Sequence, residues 1–129
     1  IVIEGLKLPT MNQVLRWYWR QRHAESKRVR AKVEYEAIYG AGLVGVTPLE
    51  KASVLIVAYG PYHRRDSDST HFKDALDSIV ARRVLGVKLS EERRWGLIVD
   101  DRRSVIGEAQ FRTVIHPEYR LEIEVRSAR

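Results

Sequence analysis

Residues 52–59, ASVLIVAY, form an uncharged run of apolar and β-branched side chains closed by Gly60 and Pro61. Alternation between apolar and polar residues would mark a strand wet on one side. A continuous run of this length reads instead as a central strand covered on both faces. The rest of the chain therefore has to supply flanking strands and a layer of helices.

Several segments fit that requirement. Residues 1–8, IVIEGLKL, place apolar side chains at 1, 3, 6 and 8 and end at Pro9, the pattern of an edge strand, with a turn expected over residues 9–12. From Ser26, an expected N-cap, to about Gly40, the chain predicts a helix with Val29, Val33, Ala37 and Ile38 inward, stopped by Gly40, Gly42 and Gly45. A second helix is expected from about Ser69 to Arg83, with Phe72, Leu76, Ile79 and Val80 inward and Lys73, Asp74, Asp77 and Ser78 on other faces. Residues 84–94 either extend it or loop out. GLIVDD, residues 96–101, is a short apolar run ending in two acids. Residues 109–115 and 119–125 read as a closing hairpin, with Tyr119, Leu121, Ile123 and Val125 alternating against Arg120, Glu122 and Glu124. The expectation is one α/β (α+β) domain over residues 1–129: a mixed sheet of about four strands with two main helices packed on it.

Composition narrows the chemistry. The chain has no cysteine, so disulfides, thiolate metal sites and a cysteine nucleophile are excluded together. No apolar stretch approaches the ~20 residues of a membrane span and no signal-peptide pattern opens the sequence, so a soluble, cytoplasmic protein without a membrane partner is expected. Net charge is +6, and the excess is clustered. Arg16, Arg20, Arg22, Lys27, Arg28, Arg30 and Lys32 face a single acid, Glu25, with Trp17, Tyr18 and Trp19 among them. Cations displace counterions from phosphates and flat rings stack on bases, so nucleic acid is the expected partner. Trp17 and Trp19 have a second reading as core or interface anchors.

The acids are also clustered. The segment HRRDSDSTHFKDALDSIV, residues 63–80, emerges from the end of the apolar strand and carries Asp66, Asp68, Asp74 and Asp77. Such a run taken alone is usually a solvated loop. Asp66 and Asp68, two apart on an extended chain, point to one side and can share an ion. Mg²⁺ held by carboxylates would stabilise the oxyanion of phosphodiester cleavage and activate a water. A third acid comes from Asp100 or Asp101, of which strand alternation turns only one inward. His63 and His71 are not expected as ligands, because Mg²⁺ prefers oxygen. His23 and His116 have no evident role.

In order, the chain shows Pro9, Thr10, Met11 and Asn12; the basic helix; ASVLIVAY; Arg64, Arg65, Asp66, Ser67 and Asp68; Lys73; Leu76 and Asp77; Gly96 through Asp101; and a final β pair. This succession resembles the RusA-type Holliday junction resolvases of bacteria and their phages. The resemblance implies a RusA-like fold and a homodimeric, Mg²⁺-dependent endonuclease, with Mn²⁺ as the alternative ion. Such an enzyme resolves four-way DNA by paired nicking in recombination and repair. It makes Asp66, Asp68 and Asp101 the metal ligands and Lys73 the catalytic lysine. Arg16, Arg20, Lys27, Arg28, Arg30, Lys32, Arg64 and Arg65 are the expected nucleic-acid contacts. Ser69 in place of an Asn, and extra residues before Lys73 and Gly96, raise the alternative of a DNA-binding protein without catalysis. A metal-dependent phosphatase would share the acids but leave the basic helix without a purpose.

Overall fold

The structure is a computed structural model that describes residues 1–62, 70–81 and 95–127. Four strands form one mixed sheet in the order β1-β4-β2-β3: β1 (Val2–Glu4), β2 (Ala52–Gly60), β3 (Ile106–Ile115) and β4 (Arg120–Ser127). The apolar run is the interior strand β2, parallel to β3 on one side and antiparallel to β4 on the other. β1 is an edge strand, antiparallel to β4. Among the described residues three helices complete the α+β fold: α1 (Met11–Arg16), α2 (Trp19–Tyr35), prolonged by a π-turn over Glu36–Gly40, and α3 (Lys73–Ser78). Among the described residues, no helix is long and apolar enough to cross a membrane.

One face of the sheet makes the core. Val54, Ile56 and Ala58 of β2 stand beside Val125, Ile123 and Leu121 of β4, and with Ile3, Leu8, Val29, Val33, Ile79 and Ile98 they exclude water. The alternation expected of β4 is present, and Val29, Val33 and Ala37 are buried as expected. The opposite face departs from expectation, because among the described elements no helix lies over it. Val57 is screened there by its neighbours in the register, Arg112 and Glu122, while Leu55 and Tyr59 stay half exposed. Tyr59 donates to Glu122 Oε2 at 3.0 Å and carries the Arg120 guanidinium 4.7 Å from its ring centre, so long polar side chains do the covering.

β3 and β4 do not form the expected hairpin. They flank β2 from opposite sides, and the link over residues 116–119 crosses its end, where His116 N–H donates to Gly60 O at 2.8 Å. Two strand spacings are about 10 Å, a gap that a link this short spans as readily as it makes a turn. Gly60 belongs to this crossing: a Cβ there would lie 2.5 Å from the Tyr119 ring and 2.9 Å from that of Tyr62. Those two rings meet edge to face at 5.7 Å. Tyr62 then pins the strand's exit by donating to Leu8 O at 3.0 Å and accepting from Leu8 N at 3.2 Å, and burial pushes its phenol up to about 12.

The second helix is shorter than expected. α3 covers Lys73–Ser78, Phe72 precedes it, and Ile79 and Val80 are buried beyond its end. Ser78, expected on an outer face, is also buried and donates to Ala75 O. Residues 84–94 lie outside the described residues. GLIVDD is not a strand: Ile98 makes isolated bridges to Leu49 and Val80, and Ala81 N–H donates to Ile98 O at 2.9 Å. Gly96 permits that approach, since a Cβ would fall 2.3 Å from Ala81 N and 2.7 Å from Val80 C. Both obstacles are backbone and cannot swing away. Gly96→Ala is therefore expected to cost about 1–3 kcal/mol, the scale of an overpacked core. A lowered urea midpoint with an unchanged slope would register it.

Candidate functional site

The basic stretch folds as an angled pair of helices. Thr10 Oγ1 accepts from Gln13 N at 3.3 Å while Gln13 Oε1 accepts from Thr10 N at 3.1 Å. This reciprocal cap makes residues 9–12, expected as a turn, the entry to α1. Trp17 and Tyr18 are extended and turn the corner, and α2 starts at Trp19. Ser26 is accordingly not an N-cap. It lies inside α2 and donates to Asp74 Oδ1 at 2.7 Å, tying α2 to α3. Asp74 is therefore not on a solvated face as expected: it is half buried, with His71 Nε2 3.8 Å from its other oxygen. Asp74→Ala removes a hydrogen bond to a charged acceptor and is expected to cost about 1–3 kcal/mol of stability, read from chemical denaturation.

Between α2 and α3 runs a groove of about 660 Å³. Val14, Trp17 and Ala31 supply apolar lining, Arg22, Lys27 and Arg30 come from the α1–α2 side, and Lys73 with His71 from the α3 side. Glu34, Asp74 and Asp77 are its acids. Arg22 Nε donates to Val14 O at 2.8 Å, so this guanidinium is anchored at the corner. Arg30 differs: its Nε is buried without a hydrogen-bond partner among the described residues. A buried N–H on a fixed positive charge is costly to leave unsatisfied. It is the residue as a whole that lines the groove, where its positive charge can act on a phosphate.

The other expected DNA contacts divide. Arg28 is engaged within the fold, donating to both Glu25 oxygens and, at 3.1 Å, to Lys7 O. Arg16, Arg20 and Lys32 are exposed and outside the groove lining. Leu15, Tyr18 and Trp19 are 67%, 80% and 72% exposed, with the Arg20 guanidinium 5.4 Å from the Trp19 ring centre. Trp17 instead lines the groove. Sequence reasoning found the cations but missed the Ser26–Asp74 tie and the unsatisfied Arg30. No periodicity distinguishes a polar side chain facing water from one facing a second helix.

The expected metal ligands are only partly in view. Asp66 and Asp68, with His63, Arg64, Arg65 and Ser69, lie outside the described residues. The chain enters that segment at Tyr62 and returns at Thr70, which bridges to Thr10 and meets Thr113 Oγ1 at 2.9 Å. Thr113 is registered with Ala58, so both anchors lie where β2 ends. Asp100 and Asp101 lie at the other end. Arg102 O accepts from Val105 N and Ile106 N, and Ile106 is registered with Ala52, where β2 begins. From Ala52 to Ala58 is about 20 Å at ~3.3 Å per residue. Asp100 accepts from Asp101 N–H at 2.7 Å and pairs with Arg102 at 2.8 Å. Contact with Asp101, side chain first and then backbone N–H, together with the Arg102 charge, holds the Asp100 carboxyl below the usual carboxylate range. Asp101 is exposed. Among the described residues, no three His, Asp or Glu converge to hold a metal ion. In comparison with known proteins, no family model, curated protein or solved structure matches the chain.

Proposed function

We propose that the chain is a Mg²⁺-dependent endonuclease that binds branched DNA and, as a pair of copies, nicks opposing strands of a four-way junction in the cytoplasm during DNA recombination and repair. The observation that carries the DNA part is the groove in which Lys73 joins Lys27 and Arg30, so that its two walls both present positive charge. A duplex or branch laid there meets cations from both walls, and Trp17 offers an apolar surface beside them. Support for the chemistry comes from the order of motifs along the chain. Carboxylate oxygens are the donors that Mg²⁺ prefers, and the resemblance of that motif order to the resolvase family makes Asp66, Asp68 and Asp101 the residues that would hold it. The bound ion would supply positive charge at the phosphoryl oxygens and lower the pKa of an attacking water. Lys73 would hold the scissile phosphate, and the remaining cations would position the flanking backbone.

A specific observation favours a second reading, a DNA-binding protein without catalysis. Asp100 and Asp101 belong to the end of the sheet where β2 begins, whereas the chain enters and leaves the Asp66 and Asp68 segment where β2 finishes. One assay separates the two: a synthetic four-way junction incubated with the protein in Mg²⁺ or in EDTA. Paired nicks in Mg²⁺ alone support the nuclease. Retained binding with intact strands, in Mg²⁺ and in Mn²⁺, selects the binder.

A further inference from the structure

We infer that two copies of this chain associate through the outer edge of β3, with Gln110 on the two-fold axis and Glu108 of each copy opposite Arg112 of the other. The inference makes specific the two-copy element of the proposed function. It rests on that reading for the expectation that copies associate, and on the strand itself for where they meet.

Among the described residues β3 pairs only with β2, which leaves a ten-residue edge. Its residues are exposed on both faces from Gly107 to Arg112, and Phe111, Val114 and Ile115 are 43%, 38% and 53% exposed. Such an edge is a template for another strand. His116 N–H donates to Gly60 O. By alternation, the even-numbered residues just before it turn their backbone groups to β2, while Ala109, Phe111, Thr113 and Ile115 turn theirs outward. An antiparallel partner must therefore pair odd residues with odd ones, which permits only a few registers.

Side chains select among them. Glu108, Gln110 and Arg112 share the open face and already form a ladder: Gln110 Nε2 donates to Glu108 Oε1 at 2.7 Å, and Arg112 donates to Gln110 Oε1 at 3.1 Å. With the axis at Gln110, Glu108 meets Arg112 of the second copy twice over, so opposite charges face each other. On the other face Phe111 falls opposite Ala109 of the second copy, large against small. The two Phe111 rings then become diagonal neighbours, each already 5.3 Å from its own Phe72 ring. Shifting the axis to Phe111 would instead oppose Glu108 to Val114.

A second exposed apolar patch, at Leu15, Tyr18 and Trp19, is a poorer meeting place for copies. Residues 11–24 contain no acid, so a two-fold contact there would set Arg16 and Arg20 against their own images. Pairing at β3 joins the two sheets into one and keeps both copies of α2, with their grooves, on the same side of it.

Light scattering on the full chain tests this. Wild type is expected at twice the 15.0 kDa monomer at micromolar concentration. Ala109→Pro deletes an outward N–H and no β2 hydrogen bond, so it is expected to be monomeric with unchanged circular dichroism. Glu108→Arg and Arg112→Glu each turn two attractive pairs repulsive and are expected to weaken association roughly tenfold. The double variant, with the charges exchanged, is expected to restore it, a readout that does not depend on the proline variant folding. A monomeric wild type, a dimeric Ala109→Pro, or a double variant no tighter than the singles would overturn the contact. Junction nicking is scored separately. A dimer that does not nick supports the contact and counts against the nuclease alone; a wild type that nicks yet stays monomeric overturns the contact alone.

Discussion

Asp66→Asn, Asp68→Asn and Asp101→Asn are each expected to reduce junction nicking in Mg²⁺ by about 10²–10³-fold, the scale of removing one preorganised charge-stabilising group. Each change removes a charge at nearly constant shape. Binding measured in EDTA is expected to persist or tighten, because fewer negative charges then face the phosphates. Asp100→Asn is expected to be milder. Asp100 already accepts the Asp101 N–H and pairs with Arg102, so its loss loosens a turn and leaves the third ligand in place. Asp74 cannot serve as an inert control, since it holds Ser26 across the helix pair. If all four variants nick like wild type, the acidic run is a solvated loop and the enzyme reading fails. If binding disappears together with nicking, these aspartates maintain the fold rather than an ion. If Asp66→Asn and Asp68→Asn are inactive while Asp101→Asn is not, the ion is held without Asp101.

The fold was legible where burial leaves a periodic mark. The unbroken run of residues 52–59 announced an interior strand, though not which faces are covered, since Leu55 and Tyr59 stay half exposed. The alternation from Tyr119 to Val125 announced β4, because it records one buried face. Neighbourhood left no such mark. A short link reads as a hairpin, yet residues 116–119 cross the end of β2, and only the pairing partners reveal which is true. The helix start was obscured for a related reason. Ser26 is chemically able to cap a helix, but its hydroxyl is used across the helix pair, and α2 begins instead where two extended aromatic residues turn the corner. The site shows the same limit. That cations concentrate on one helix was readable from composition; that Lys27 and Arg30 face Lys73, while Arg28 is held by Glu25 and Lys7, was not. Motif order placed Asp101 beside Asp66 and Asp68 in sequence logic. It carried no information about where in the fold Asp101 lies, which is at the end of the sheet where β2 begins.

That division among the cations leads to the second large effect. Lys27→Ala with Arg30→Ala is expected to weaken binding to every DNA tested and to flatten its salt dependence by roughly 0.9 in the slope of log K against log salt for each duplex phosphate no longer neutralised. Two phosphates at that slope amount to a drop in affinity of about thirtyfold at physiological salt relative to ~1 M, growing as salt is lowered. Arg28→Ala is expected to behave differently. Its guanidinium is held by Glu25 and by the Lys7 carbonyl, so its removal disrupts packing and a hydrogen-bonded pair more than it disturbs the grip on phosphate. The salt slope should stay near that of wild type while stability falls. Titrating a fluorescent duplex and a four-way junction at several salt concentrations separates the variants. An unchanged slope in the Lys27 and Arg30 variant would place DNA outside the groove. The exposed Arg16, Arg20 and Trp19 corner would then be the next surface to test. A reduced slope with unchanged junction preference would mean that the groove supplies affinity alone, and that recognition of the branch point lies with side chains beyond α2.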